Sequence, residues 1–298
     1  MKLYAPSYYK RFHCIADRCE HSCCIGWEID IDEETLQTYK TLKDGYGAVV
    51  ADSISTEDTP HFQLCEGDRC PHLDERGLCK IILNVGEGYL CQICHEHPRF
   101  YNYTDVAEVG IGLSCEEATR LVLSSSDYAT MEEIGAVDAE SDGIAFDGRA
   151  VRNDLYAALQ DTTQDYANRL DTLYRKYGID SGEDSRWLDI INSLEYLDQD
   201  HKKLFMKYSS VHCPRDHDEY RERFLAYLIY RHCTEAVDEE DFAERLAFCL
   251  FCERLLTSLI EAEKAETPED IARLARIISE EIEYSEDNTQ KLTCKDRR

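Results

Sequence analysis

Between Cys70 and Cys94 the sequence CPHLDERGLCKIILNVGEGYLCQIC places four cysteines in one short segment, and His95, His97, Pro98 and Arg99 follow at once. Upstream stand Cys14, Cys19, Cys23 and Cys24; downstream, Cys115 lies in GIGLSCEEATR. Ten of the fifteen cysteines fall between Cys14 and Cys115, so the enrichment is regional. Packing alone does not require such spacing. It points to sulfur ligands drawn from separated parts of the chain to a metal or iron–sulfur centre.

The setting matters, because cysteines in a reducing compartment serve as metal ligands or redox groups more often than as structural disulfides. No run approaches the roughly 18 apolar residues of a membrane helix. The opening MKLYAPSYYKRF also lacks the apolar core of a secretory leader, so the expected location is the cytoplasm. A net charge of -28 and a pI near 4.6 argue against a nucleic-acid partner. An acidic field suits a basic partner such as an exposed lysine of another protein, although it serves solubility equally well.

The pattern predicts a mainly α chain: a loop-rich cysteine-cluster N-terminal region with short strands, then a C-terminal α-helical bundle. Residues 1–31 read as irregular or extended, with a short strand in GWEIDID. Asp32 is the expected N-cap of a helix through about Leu42, which GYG at 45–47 should end; residues 48–64 read as a surface connection. Short helical turns are expected near Lys80–Asn84 and Glu87–Cys94. Ser114 and Glu117 have the form of a capping box, which would put Cys115 in the first turn of a helix through about Leu123.

Residues 1–123 are therefore expected to form the cysteine-rich domain, 124–150 an acidic linker or loop, 151–288 a helical domain and 289–298 a mobile charged tail. In the helical part, Leu155, Leu159, Leu170 and Leu173 form a stripe ending near Gly178. A second helical region spans 185–210, and Pro214 opens a third through 234. A fourth runs from Glu239 to Lys264, and Thr267-Pro268 begins a fifth.

The cysteines separate into populations. Cys14, Cys19, Cys23, Cys24, Cys70, Cys79, Cys91, Cys94 and Cys115 are the candidates for metal. Cys65 reads as an ordinary loop residue, and His13, His21, His95 and His97 as surface or supporting residues. Cys249 and Cys252 form C-x2-C inside an apolar helix, where they act as small core hydrophobes. Cys213, Cys233 and Cys294 join them outside the metal set. Neither a glycine-rich dinucleotide fingerprint after a strand nor a phosphate loop is present.

The stretches YAPSYYKRFHCIADRCEHSCCIGWEIDID, CPHLDERGLCKI, GYLCQICHEHPRFYN, GLSCEEATR, RFLAYLIYRHC and IISEEIEYSEDN resemble successive motifs of the bacterial flagellin lysine-N-methylase family. The likeness runs from near the first residue to about Asn288. The first half also resembles a broader group of cysteine-cluster proteins that chelate zinc or iron. The resemblance implies methyl transfer from S-adenosylmethionine to surface lysines of flagellin, with a 4Fe-4S cluster; zinc or mononuclear iron is the alternative centre. Carried over by motif, the ligands are Cys19, Cys23, Cys24, Cys70, Cys79, Cys94 and Cys115, with Cys14 next. Cys65 departs from the motifs and Cys91 is an extra thiol. The radical-enzyme spacing C-x3-C-x2-C is absent, since Cys24 follows Cys23 directly.

Methyl transfer to lysine needs a neutral amine, whose unperturbed pKa of about 10.4 must be lowered or its proton taken by a base. Glu281, Glu283 and Tyr284 in EIEYSEDN are the candidate catalytic groups, against the plainer reading of a solvated helix end. Arg99 and His97 would orient the cluster loop or a substrate, or fasten a helix end. Two readings compete with the enzyme: a non-enzymatic metal-chelating scaffold that binds a partner, and a cysteine redox protein.

Overall fold

The computed structural model describes residues 1–141, 143, 146–179, 184–208, 217–283, 285, 288 and 291. In chain order its elements begin with β1 (Lys2–Pro6), α1 (Glu33–Thr41), α2 (Gly45–Asp52), β2 (Ile54–Ser55) and β3 (His61–Phe62). There follow α3 (Lys80–Asn84), α4 (Gln92–Glu96), β4 (Arg99–Tyr103), β5 (Ala107–Ile111), α5 (Glu116–Ser124) and β6 (Met131–Ala136). The helices α6 (Gly148–Leu159), α7 (Tyr166–Tyr177), α8 (Asp184–Asn192), α9 (Gln199–Phe205), α10 (Asp218–Cys233), α11 (Glu239–Glu263) and α12 (Pro268–Glu283) complete it. The architecture is mainly α with a C-terminal helical bundle, as the periodicity predicts. The chain divides into two compact units, His13–Pro98 and Met1–Phe12 with Arg99–Arg298.

The larger unit is built on α10 and α11, which are buried almost all round: Phe224 to Tyr230 on one, and most of Leu246 to Ile260 on the other. A helix apolar on every side belongs in the interior, and each fully buried Leu or Phe contributes about 2–3 kcal/mol. Local signals fix several ends. Asp165 caps α7 through Asn168 N–H, and Gly178 closes it in the left-handed conformation. Asp238 caps α11, while Thr267 and Asp270 cap each other at the start of α12. The expected stripe across residues 151–178 is two helices, α6 and α7, and the region 185–210 likewise holds α8 and α9. Pro214 and the tail beyond residue 291 lie outside the described residues.

Beside the helices lies a four-stranded sheet ordered β4-β5-β1-β6. β1 runs parallel to β5 and antiparallel to β6, and β4 and β5 form a hairpin. Two points tie it to the bundle. Gly110 leaves no room for a side chain: a Cβ would stand 2.3 Å from Phe100 and 2.7 Å from Tyr230. Glu108 of β5 takes a bidentate pair of bonds at 2.6 and 2.9 Å from Arg152 of α6, both fully buried.

Residues 124–150, expected as a linker, contain β6, which pairs with β1 from Lys2↔Ala136 to Pro6↔Met131. The chain passes from one compact unit to the other between residues 12 and 13 and between 98 and 99. The first twelve residues thus belong with the helical part. The strand partners of β1 are more than a hundred positions away, beyond the reach of local pattern.

The smaller unit has its own core of Ile29, Ile31, Leu36, Tyr39, Val50, Phe62, Leu73 and Ile81. Asp32 caps α1 as expected, accepting from Thr35 N–H at 2.9 Å. GYG does not simply end that helix: Gly45 opens α2, and Gly47 packs where a Cβ would lie 2.8 Å from Leu42. The supposed connection 48–64 therefore holds most of α2 and the β2–β3 hairpin. GWEIDID is not a strand. Its alternation does bury Ile29 and Ile31, but pairing is limited to isolated bridges, Ile25 with Arg69 and Asp30 with His61.

Candidate functional site

Five thiols gather at the core of the smaller unit. Cys70 and Cys91 are buried within it, and Cys24, Cys79 and Cys94 pack against it. Three short devices bring them together. Cys70 N–H donates to Cys24 C=O at 2.9 Å; Leu73 and Cys79 bridge across the turn at Gly77; Cys91 heads α4, which carries Cys94. Gly77 has φ +77°, a turn that glycine adopts without strain.

The sulfurs feel one another. Burial pushes the Cys70 thiol up to about 12, and neighbouring Cys24, Cys79 and Cys91 act in the same direction. Burial likewise raises Cys79. A hydrogen bond from Cys94 lowers Cys91 and correspondingly raises Cys94. A hydrogen bond from Cys23 brings Cys24 down to about 7 against its burial. Two pairs of side chains are thus joined by thiol hydrogen bonds, Cys23 with Cys24 and Cys91 with Cys94. Soft sulfur donors in this number suit zinc or iron–sulfur chemistry. As placed, however, no group of three or more His, Cys, Asp or Glu among the described residues is arranged to hold a metal ion. The donor type fits a thiophilic centre; a closed ligand cage is not preformed.

Cys14, Cys19 and Cys115, also expected as ligands, and Cys65, expected as a loop residue, are not among the residues packed on that core. Cys14 is exposed, with Sγ 3.4 Å from Ala16 N–H, and Cys19 is half-buried. Cys65 is exposed on a loop paired to Arg69. Cys115 belongs to the larger unit, where it is the N-cap of α5 and not a residue of its first turn. The capping box does not form, because Ser114 falls one position too early and Glu117 is engaged by Arg120 at 2.6 and 2.7 Å. The Ser114 hydroxyl is buried with no hydrogen bond among the described residues.

His13 and His95 are exposed, and His21 and His97 half-buried. Arg99 donates to Tyr9 OH at 2.9 Å, an internal fastening of the larger unit. Sequence reading passed over His72, which is 1% exposed and bridges Tyr46 and Ser53 through its two ring nitrogens at 2.9 and 2.8 Å. Burial and Lys80 lower its pKa to about 4, so it is a neutral brace of α2. Its position two residues after Cys70 was the available signal.

Glu281 and Glu283 are not a solvated helix end. Glu281 is 1% exposed and accepts from Leu197 N–H at 2.9 Å, Asp198 N–H at 3.2 Å and His201 at 2.6 Å. Glu283 accepts from Tyr227 OH at 3.0 Å, His232 Nε2 at 2.6 Å and Ser279 Oγ. Burial alone would raise Glu283, but Arg231, His232 and Ser279 outweigh it and bring it to about 2. Both carboxylates are bound to internal donors and fasten the larger unit. Tyr284 lies outside the described residues. Cys233, Cys249 and Cys252 are fully buried in the bundle, as their apolar setting predicts, with Cys233 and Cys249 sulfurs 3.8 Å apart. Cys213 and Cys294 lie outside the described residues.

Fold and site together define a mainly α protein in which a separate small unit concentrates thiols. Over 136 residues, 43% of its length, the chain is 27% identical to a lysine-N-methylase of Salmonella typhimurium. Across 136 residues it is also 26% identical to a lysine-N-methylase of Salmonella choleraesuis and to the flagellar biosynthetic protein FliU of Salmonella muenchen. The expected resemblance to lysine-N-methylases holds over that stretch. The match spans 34% of the length of each lysine-N-methylase and 80% of FliU. No family model matches the chain, and no solved structure matches it. Among the described residues, no helix is long and apolar enough to cross a membrane.

Proposed function

We propose that the protein is a cytoplasmic, S-adenosylmethionine-dependent protein lysine N-methyltransferase acting on flagellin or another lysine-bearing protein. The observation that carries this reading is the 27% identity to a protein named lysine-N-methylase. A cysteine-ligated centre, a 4Fe-4S cluster or else zinc or iron, accompanies the proposal on the strength of the gathered thiols. Cys24, Cys70, Cys79 and Cys94 would hold it, with Cys91 beside them. When bound, such a centre would cross-link the loops that carry these thiols.

S-adenosylmethionine, when bound, would supply the methyl group, and the accepting lysine must reach it as a neutral amine, its proton passing to a base or to water. The chain's strong acidity favours the approach of a basic partner surface. Glu281 and Glu283 hold the bundle in this scheme and do not take the proton.

The test is methyl mass added to flagellin lysines by anaerobically purified protein with S-adenosylmethionine. Absence of added mass removes the activity. A non-enzymatic metal-binding scaffold is the second reading, favoured by the full engagement of Glu281 and Glu283 with internal donors. Saturable S-adenosylmethionine binding would count against it.

A further inference from the structure

In the larger unit, the turn from β5 to α5 is fastened through its backbone. Leu113 N–H donates to Tyr227 OH at 3.3 Å, Thr119 Oγ1 donates to Leu113 C=O, and Cys115 N–H reaches Gly112 C=O at 3.4 Å. Ser114 differs. It is 3% exposed, and its hydroxyl has no hydrogen bond among the described residues. A buried hydroxyl left in that state destabilises a fold, so its retention calls for a partner that binds there.

The position of Ser114 supplies the rest of the site. It directly precedes Cys115, the N-cap of α5, whose side chain makes no capping bond. The first-turn N–H groups of a helix lack intrahelical partners and stand at the positive end of its dipole, so they and the hydroxyl form one set of donors for an anion. Arg231 adds positive charge: its Nη1 donates at 2.9 Å to Tyr227 OH, the same hydroxyl that Leu113 N–H reaches. Cys115 and Glu116 are only half-buried, so the helix start keeps contact with solvent. β1 and β5 run parallel, and parallel strands bind ligands off their carboxyl ends, where this turn lies. Acidic groups narrow the choice. Glu117 is paired with Arg120, but Glu116 stands in the same turn and repels a bare anion. A group with a cation beside its anion escapes that repulsion, and the α-amino-acid end of S-adenosylmethionine is such a group.

We propose that the start of α5 is the subsite for that amino-acid end, its carboxylate accepting from the Ser114 hydroxyl and the first-turn N–H groups of the helix. Such binding deepens the methyltransferase reading and rests on it, since the ligand is the methyl donor. Ser114 holds that ligand and takes no part in bond-making.

The experiment titrates the full chain calorimetrically with S-adenosylhomocysteine, which keeps the amino-acid end and has no methyl group to give. Saturable binding is expected, and the decarboxylated analogue of the same ligand should bind about tenfold more weakly or worse. Ser114→Ala should weaken S-adenosylhomocysteine binding by about tenfold or more. It should leave the ligand-free Tm unchanged or raise it, because no internal hydrogen bond of the hydroxyl is lost. Unchanged affinity in Ser114→Ala, equal binding of the decarboxylated analogue, or a lower ligand-free Tm would each overturn the subsite. Any of these alongside methylation of flagellin by the parent chain would defeat the subsite and spare the enzyme. Neither binding nor methyl transfer by the parent chain would remove the enzyme reading, and the subsite with it.

Discussion

The carboxylate of Asp32 accepts a hydrogen bond from the backbone N–H of Gln92 at 2.8 Å, joining the start of α1 to the first residue of α4. Its other oxygen caps α1 through Thr35 N–H. One side chain therefore closes two helix ends and fixes the segment that carries Cys91 and Cys94. Burial opposes ionisation of Asp32, but the bonds from Gln92 and Thr35 prevail and lower its pKa.

Asp32→Ala should destabilise the smaller unit by about 1–2 kcal/mol, from a lost cap of about 1 and a solvent-exposed bond to Gln92 of up to about 1. Hydrogen exchange should accelerate at Thr35 and Gln92 together. Acceleration at Thr35 alone would mean that the link to α4 carries no weight.

Glu283 gives the bundle an acid limit. Its folded pKa of about 2 lies below the ordinary 4.5, so its contribution is complete above 4.5 and is lost as pH falls through 2. His201 has the opposite sign. Burial lowers it, but Glu281 raises it on balance, so its contribution is complete below 6.5 and fades as pH rises through its folded value. Thermal melts of Glu283→Gln should show a shallower loss of Tm between pH 4.5 and 2 than the parent; parallel curves would exclude Glu283 as the source.

The Glu108–Arg152 pair joins the sheet to α6 in a setting with almost no solvent. Arg152→Ala should cost about 3–5 kcal/mol, because it removes the bidentate partner of a buried carboxylate and leaves it only Arg149 at 3.4 Å. Gly110→Ala should also destabilise, since Phe100 and Tyr230 occupy the space its methyl group needs. Chemical denaturation reads both, and an unchanged midpoint in either would contradict the packing described.

Metal retention separates the two cysteine populations. Cys79→Ala or Cys94→Ala should abolish the iron, sulfide or zinc content of anaerobically purified protein, whereas Cys252→Ala in the bundle should leave it unchanged. Unaltered content in Cys94→Ala would remove that residue from the ligand set.

The sequence by itself determined the elements whose causes are local. Asp32, Thr267 and Gly178 mark helix ends by side-chain or backbone chemistry within a few residues, and the apolar character of Phe242 to Ile260 assigns α11 to the interior. The crowding of Cys70, Cys79, Cys91 and Cys94 was legible for the same reason. Only the tertiary structure decided which thiols meet, that β1 joins β5 and β6, and that Glu281 and Glu283 lie buried among donors. The strand pairing and the burial of the two carboxylates depend on groups 50 or more positions distant, among them Ala107 for Leu3 and His232 for Glu283. A carboxylate's surroundings, unlike its helix propensity, are set by whatever the rest of the chain packs against it.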